Sequence, residues 1–221
     1  MGLNNFDVII SGWSGKMGHV LRTLAPFYFS GQVINYKDLI NKKLKHPIWI
    51  DFSNAAILPI IIENVKNLHC PLVMGTTGLS EENLTELKDL AKNIPVFYDT
   101  NFSIGIRLLR KLVAALPKLT ADFDVSIFES HHSAKKDTPS GTAKTLQNDL
   151  NEIGIKNVPI LSHRGGGIRG EHEIILAGKN EILTLKHEAL DRSIFAEGAL
   201  KAAVWLLTKA NGLYNMKHFI P

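Results

Sequence analysis

Phe6-Asp7-Val8-Ile9-Ile10-Ser11-Gly12-Trp13-Ser14-Gly15-Lys16-Met17-Gly18 decides how the first half of the chain folds. Residues 6–11 are a short apolar run, which reads as a buried strand. Behind the glycines, Met17, Val20, Leu21, Leu24 and Tyr28 mark one face of a helix. Strand, glycine turn, helix is the context in which a glycine-rich loop binds phosphate. In the spacing G-x-x-G-x-x-G the first glycine permits a tight turn. The second lets backbone approach a pyrophosphate, and the third lets helix and strand pack closely. The competing reading is an ordinary glycine-rich turn.

Outward from this stretch, strands and helices alternate. Val33–Tyr36 reads as a second strand. No acidic residue stands clearly at its end to hold ribose hydroxyls, while Lys16 and Lys37 are cations suited to a ribose phosphate, so the choice of dinucleotide stays open. Ile48–Ser53 is a strand, and Leu58, Ile61, Ile62 and Val65 form a helical face. Pro71–Thr77 is a strand, Ser80 caps a helix with Glu81 and Glu82 in its first turn, and Pro95–Tyr98 is a strand running into Asp99-Thr100-Asn101-Phe102. This alternation implies a parallel sheet covered by helices on both faces, with ligands at the carboxyl ends of its strands. Phe52, Gly75-Thr76-Thr77 and Asn101-Phe102 fall at those ends.

After Leu119 the pattern changes. Residues 123–130, 158–164, 171–178 and 181–189 read as strands separated by one clear helix, with a hairpin turn over Ala177–Glu181. Phe195, Ala199, Ala202, Ala203, Leu206 and Leu207 mark a final helix whose small residues suit tight packing on the first domain. The fold class expected is α/β: an N-terminal Rossmann-type dinucleotide-binding domain, residues 1–102 joined by 193–221, and a smaller α+β domain with a mixed sheet, residues 103–192.

Glu129-Ser-His-His-Ser-Ala-Lys-Lys-Asp-Thr-Pro-Ser-Gly-Thr-Ala143 is too polar for a core and connects a strand to a helix, where binding groups collect. His131 and His132 titrate near neutrality and can donate or accept a proton. Lys135 adds a cation, and Lys136 reads as solvated. Ser140 suits a helix cap. Gly141 and Thr142 open the helix, whose amides and dipole favour an anion such as a carboxylate. The segment suits a small anion held beside a proton donor. No metal is expected, since no cysteine or carboxylate stands at ligand spacing beside the histidine pair. Arg164-Gly-Gly-Gly-Ile-Arg-Gly-Glu-His172 is a glycine-rich loop whose arginines could grip a carboxylate or phosphate; a plain surface loop is the alternative.

The 221 residues, 45% hydrophobic and 21% charged, are ordinary for a soluble globular chain. The single Cys70 precludes an internal disulfide and reads as a buried small residue, in keeping with a reducing, cytoplasmic setting. No stretch is suited to span a bilayer; Ala55–Ile62 is short and contains Pro59. No signal-peptide layout is expected. Met1-Gly2 begins a myristoylation pattern, but Phe6 occupies its Ser/Thr position. The net charge of +4 suits anionic ligands, whereas scattered lysines without interleaved aromatics argue against nucleic acid.

Gly12–Gly18, Asp51-Phe52-Ser53, Gly75-Thr76-Thr77-Gly78, Asn101–Gly105 and Glu129–Ala143 resemble the 4-hydroxy-tetrahydrodipicolinate reductase (dihydrodipicolinate reductase) family. Arg164–His172 and the stretch from His187 through Arg192 to Gly198 resemble it too. The resemblance runs nearly end to end. It implies hydride transfer from NADH or NADPH to a cyclic dicarboxylate imine in lysine and diaminopimelate synthesis, with loss of a hydroxyl as water. By motif, His131 resembles the proton donor and Lys135 its catalytic partner. His132, Ser140, Gly141 and Thr142 resemble the substrate site. Gly12, Trp13, Ser14, Gly15, Lys16, Met17, Phe52, Gly75, Thr76, Thr77, Asp99, Thr100, Asn101 and Phe102 resemble the cofactor site. It also implies domain closure about residues 101–105 and a homotetramer built through the second-domain sheets. Asp99-Thr100 and Thr138 depart from the family pattern and bear on cofactor preference. Another nicotinamide oxidoreductase is the runner-up, and a non-catalytic dinucleotide-binding regulator the rival from a different class; the latter needs neither His131 nor Lys135.

Overall fold

The computed structural model describes residues 5–40, 42–116 and 122–221; Met1-Gly2 and Leu119 lie outside them. In chain order the elements begin β1 (Val8–Ser11), α1 (Lys16–Leu24), β2 (Val33–Asn35), β3 (Ile48–Asp51), α2 (Leu58–Leu68), β4 (Leu72–Met74), α3 (Glu81–Leu90) and β5 (Pro95–Tyr98). They continue with α4 (Ile104–Ala114), β6 (Asp124–His131), α5 (Gly141–Glu152), β7 (Ile160–Arg164), β8 (Glu171–Ala177) and β9 (Ile182–Glu188). The last are α6 (Ser193–Leu206), β10 (Gly212–Tyr214) and α7 (Met216–Phe219). The chain divides into two units, residues 1–103 with 193–221 and residues 104–192.

The first unit holds a six-stranded sheet in the order β10-β5-β4-β3-β1-β2, and every pairing is parallel. Its strands are short and apolar because both faces are covered. Val8, Ile9, Ile10, Ile48, Trp49, Ile50, Leu72 and Val73 are fully buried. Ile9, Trp49, Leu72 and Val96 meet Leu58, Ile61 and Val65 of α2 and Leu87 and Leu90 of α3 in one core cluster. Local signals set the ends of α2 and α3. Ser80 and Asn83 form a reciprocal capping box at α3. Helix α2 carries Pro59 in its first turn and ends on His69, whose left-handed backbone (φ 48°) lets the next amides reach back to the helix carbonyls. Cys70 is buried, and burial pushes its thiol up to about 12, so it is an inert packing residue.

Helix α6 packs by its small residues. Ala196, Ala199, Ala202 and Ala203 are fully buried. At Gly198 an added Cβ would lie 1.8 Å from the Phe102 carbonyl oxygen, so only glycine lets α6 come this close to the end of β5.

The second unit is a mixed four-stranded sheet in the order β7-β6-β8-β9. Strands β6 and β7 are parallel, while β8 runs antiparallel to both β6 and β9. Val125 and Ile127 of β6, Ile174 and Leu176 of β8, Ile106, Leu109 and Val113 of α4 and Leu146 and Leu150 of α5 form its core. Arg110 of α4 makes a two-pronged pair with Asp149 of α5 at 2.6 and 2.9 Å.

Several elements differ from the sequence reading. Helix α1 stops at Leu24 rather than reaching Tyr28, because Pro26 cannot extend the α-helical ladder and Ala25–Phe27 tightens into a 3-10 turn. The strand expected over residues 71–77 pairs only over Leu72–Met74, since Gly75 and Thr76 turn to hydrogen-bond Asp51 instead. Helix α4 was unforeseen, although Ile106, Leu109 and Val113 carry its spacing. Strand β10 was unforeseen because its three residues have no pattern of their own and are defined by pairing with β5.

Replacing Gly198 by Ala is expected to lower stability by about 1–3 kcal/mol, the usual cost of overpacking, or more if the backbone cannot yield. Thermal unfolding of the variant checks this; an unchanged Tm would show that α6 is not seated as closely as described.

Candidate active site

The glycine turn after β1 has a geometry that suits a phosphate. Gly12 has a left-handed φ of 81°, and a Cβ there would lie 2.1 Å from the Phe52 carbonyl oxygen. The Gly15 amide donates to the Gly12 carbonyl at 2.9 Å, closing the turn. At Gly18 a Cβ would lie 2.1 Å from the Gly12 carbonyl oxygen, so the third glycine lets α1 abut the loop. Helix α1 begins with no side-chain cap, which leaves the positive end of its dipole facing the loop. The loop borders a cavity of about 440 Å³ lined by Gly12, Trp13, Ser14, Gly15, Asn35, Tyr36, Lys37, Phe52, Ser53, Asn54 and Ile57. That volume, and a cradle that any Cβ would fill, fit a dinucleotide's phosphates and one nucleoside. Lys16 and Met17 do not line this cavity; they stand on the first turn of α1.

The loop's floor is tied by Asp51. This carboxylate is fully buried and accepts hydrogen bonds from the hydroxyls of Ser11, of Ser53 at 2.5 Å and of Thr76 at 2.5 Å. The Trp49 indole N–H donates to Ser11 Oγ at 3.0 Å, and the Ser53 amide to Thr76 Oγ1 at 2.9 Å. The ends of β1, β3 and β4 are thereby bound to one group. At Gly75 an added Cβ would lie 2.4 Å from the Phe52 ring, so Gly75 is small to admit that ring. Thr77 is exposed.

At the end of β5 the expected cofactor residues divide. Phe102 is buried, in tilted contact with Phe52 and Phe97 at 5.4 and 5.5 Å between ring centroids, so its ring is core and any ligand contact falls to its backbone. The Asp99 carboxylate accepts from the amides of Asn101 and Met216 at 3.1 Å each, tying the strand end to α7. The departure at Asp99 therefore has a structural use. Thr100 is exposed beside it.

In the second unit, residues two apart on β6 share a face, so Val125, Ile127, Glu129 and His131 all point the same way. Glu129 is fully buried. Its Oε2 accepts from His131 Nδ1 at 2.5 Å, and its Oε1 from Arg164 Nη2 at 2.7 Å and the Ser140 amide at 3.3 Å. Burial pushes this carboxyl up, but hydrogen bonds from Arg164, Ser162 and His131 outweigh it and hold it down at about 2. His131 is buried and its own value is lowered by that burial; the Glu129 hydrogen bond and charge oppose, while Lys135 and Arg164 add to the lowering. His172 of β8 lies edge-on to His131, with 5.1 Å between ring centroids. Burial holds its imidazole down at about 3, with the charge of a protonated His131 adding.

Ser140 caps α5, its Oγ accepting from the Ala143 amide at 3.2 Å and meeting His172 Nε2 at 3.1 Å. Gly141 and Thr142 are the first two residues of α5, and a Cβ at Gly141 would meet nothing within 4 Å. Lys135 pairs with Asp137 at 2.7 Å, leaving its side chain 23% exposed at the rim; His132 is half-buried. The structure thus joins His131 and Ser140 through Glu129, a residue the site reading passed over. The signal was its place two residues before His131 on a strand. Arg164 does grip a carboxylate, that of Glu129, whereas Arg169 is exposed.

The sequence reading saw no carboxylate at ligand spacing beside the histidines, and the fold supplies one. Glu129, His131 and His172 bring ligand atoms within 4.8 Å of one another. The guanidinium of Arg164 already neutralises that carboxylate, which disfavours a cation there.

Residues 27–102 match the family model described as dihydrodipicolinate reductase, N-terminus, and residues 105–220 the one described as dihydrodipicolinate reductase, C-terminus. The chain is 37% identical to a 4-hydroxy-tetrahydrodipicolinate reductase of Caldanaerobacter subterraneus subsp. tengcongensis, over 96% of this chain and 97% of that protein. It is 39% identical to one of Thermosipho africanus over 96% of each. A solved dipicolinate-bound dihydrodipicolinate reductase from Paenisporosarcina sp. TG-14 superposes with a TM-score of 0.76, covering 98% of this chain and 100% of that one; at 23% identity the likeness speaks to the fold.

A pH dependence of stability follows from His172. Its folded value of about 3 lies below the ~6.5 of an unfolded histidine, so the unfolded chain binds more protons between those values. Stability is therefore lost as pH falls from about 6.5 toward 3. Calorimetry of His172→Gln at pH 7, 6 and 5 should show a shallower fall in Tm than the parent protein; the same slope in both would contradict the assignment.

Proposed function

This chain belongs to the dihydrodipicolinate reductase family, and from that premise we infer a reductase that converts 4-hydroxy-tetrahydrodipicolinate to tetrahydrodipicolinate. The reaction serves lysine and diaminopimelate synthesis and uses NADH or NADPH. The bound nicotinamide supplies a hydride. The net reaction also takes up one proton and releases the substrate's hydroxyl as water.

The observation that carries the site assignment is that one buried carboxylate holds both chemical parts. Glu129 binds the His131 ring and the Ser140 amide that opens α5. In the proposed roles, Gly141 and Thr142 bind a substrate carboxylate through their amides at the positive end of the helix dipole. Lys135 and His132 add contacts at the rim, with Lys135 exchanging Asp137 for the anion. His131 delivers the proton from Nε2, because Nδ1 is committed to Glu129. Gly12–Gly15 take the pyrophosphate, and Phe52 and Ser53 line the same cavity. Lys37 in that cavity supports acceptance of a ribose phosphate, and hence NADPH, while the lack of an acidic side chain among the lining residues removes the usual ribose-hydroxyl partner of NADH.

A homotetramer built on the second-unit sheet is part of this reading. Helices α4 and α5 pack on the face that carries Val125, Ile127, Ile174 and Leu176. The opposite face presents Phe128, Leu161 and Ile175, and Leu161 is 56% exposed. A further copy of the chain would cover it. Among the described residues no helix is long and apolar enough to cross a membrane, and a cytoplasmic location is proposed.

The test generates substrate in place from pyruvate and aspartate semialdehyde with the preceding synthase, and follows NADH and NADPH consumption separately. Synthase-dependent oxidation is expected. His131→Gln should lower turnover by about 10²–10⁴-fold with nucleotide affinity unchanged; full activity in that variant would remove His131 from the mechanism. Ile175→Glu should shift the mass seen by light scattering from tetramer toward smaller species, and an unaltered tetramer would place the interface elsewhere.

A further inference from the structure

Two atoms of the His131 ring could exchange the reaction's proton, and they are not equivalent in this fold. Nδ1 lies 2.5 Å from a carboxylate that is itself fixed from its other oxygen by Arg164 at 2.7 Å and the Ser140 amide at 3.3 Å. A carboxylate offers only acceptors, so the ring must present an N–H at Nδ1. Nε2 faces Gly170, where a Cβ would sit 3.2 Å away. The glycine keeps the ring's outer edge clear of side chain.

We propose that Glu129 is a positioning residue for the reduction: it locks the His131 imidazole in the Nδ1–H tautomer and turns Nε2 outward as the sole atom through which the ring gives and regains the reaction's proton. This rests on the reading of His131 as the proton donor and deepens it. Glu129 touches no reacting atom in this scheme. It acts on the ring alone, as the carboxylate of a hydrolytic triad orients its histidine.

The charged and titratable groups around the ring define what the carboxylate contributes. Lys135 in the following loop and Arg164 on β7 both oppose a second proton on His131, and His172 on β8 faces it edge-on. Glu129 is the only anion in this set. It opposes part of the effect of two cations and of the burial of the ring, which on balance still lower its value, and so makes the doubly protonated, donating form easier to reach. Arg164 in turn stops Glu129 from taking the proton itself. The sign is then fixed. A general acid must be protonated, so turnover falls as pH rises through the value of His131. Removing the anion moves that fall to lower pH.

The experiment has two arms. In the first, imidazole ¹⁵N spectra of the unmodified protein are recorded near pH 7, with the His131 signals identified by their absence from His131→Gln. A protonated Nδ1 and a bare Nε2 are expected; a proton on Nε2 with a bare Nδ1 would overturn the proposal. This arm needs no altered Glu129 and stands even if the variant does not fold. In the second, the pH dependence of kcat is measured for Glu129→Gln. The fall on the alkaline side should move to lower pH, with kcat at pH 7.5 down by roughly 10–100-fold or more, the lower range being that for loss of the carboxylate behind a metal-bound histidine. KM and NADPH affinity, read by nucleotide fluorescence, should stay near those of the parent. A folded variant with an unmoved pH profile would overturn the proposal, as would loss of KM and kcat together without a shift. If His131→Gln retained full turnover while the ¹⁵N spectrum showed the Nδ1 proton, the catalytic reading would fall and the tautomer lock would stand as structural, so the two failures are distinguishable.

Discussion

A carboxylate with no access to water must find its hydrogen bonds inside the protein, and each unit of this chain is organised by one such group at the end of a strand. In the first unit Asp51 collects the hydroxyls of Ser11, Ser53 and Thr76. In the second, Glu129 collects His131, Arg164 and the first amide ahead of α5. The requirement to satisfy these oxygens fixes which loops lie beside which strands. It also explains why small hydroxyl residues stand at the ends of β1, β3 and β4: their short side chains converge on one common acceptor.

The same constraint shapes the chemistry. Imidazoles buried beside other cationic groups lose affinity for protons, as His131 and His172 do. One fixed anion among them restores some of it, most directly to the ring it is hydrogen-bonded to. The two adjacent rings therefore take different tasks. His172 stays neutral and bonds to the helix cap, while His131 holds the anion and, in the proposed scheme, carries the proton. Burial of the pair would be costly without Arg164, which occupies the carboxylate's second oxygen and leaves no orphaned acceptor.

Glycine serves closeness in three places here. Gly12 and Gly18 bring loop, helix and the β3 end within backbone contact, and Gly198 brings α6 onto the Phe102 carbonyl. Gly75 instead makes room for the Phe52 ring. In each case a methyl group would overlap a named atom, so the residue type records a neighbour that sequence spacing alone does not identify.

Much of the architecture was legible because it rests on local signals. The apolar runs Val8–Ile10 and Ile48–Ile50, the glycines after β1, the Ser80 cap and the alternation in β6 each act over a few residues, and each was readable before the fold was known. The histidine-lysine segment and the helix start at Ser140 were legible for the same reason, as polar groups in a place no core would accept. Tertiary structure decided what those groups touch. Strand β10 exists through its pairing with β5. Arg164 meets Glu129 across the parallel β6–β7 register, 35 residues away in sequence. Phe102 proved to be core, and Asp99 a tie to α7. Hydrophobic periodicity is set by near neighbours and survives in the sequence. The pairing of one buried charge with its compensating partners depends on chain reversals that bring distant residues together, and only the folded chain fixes those.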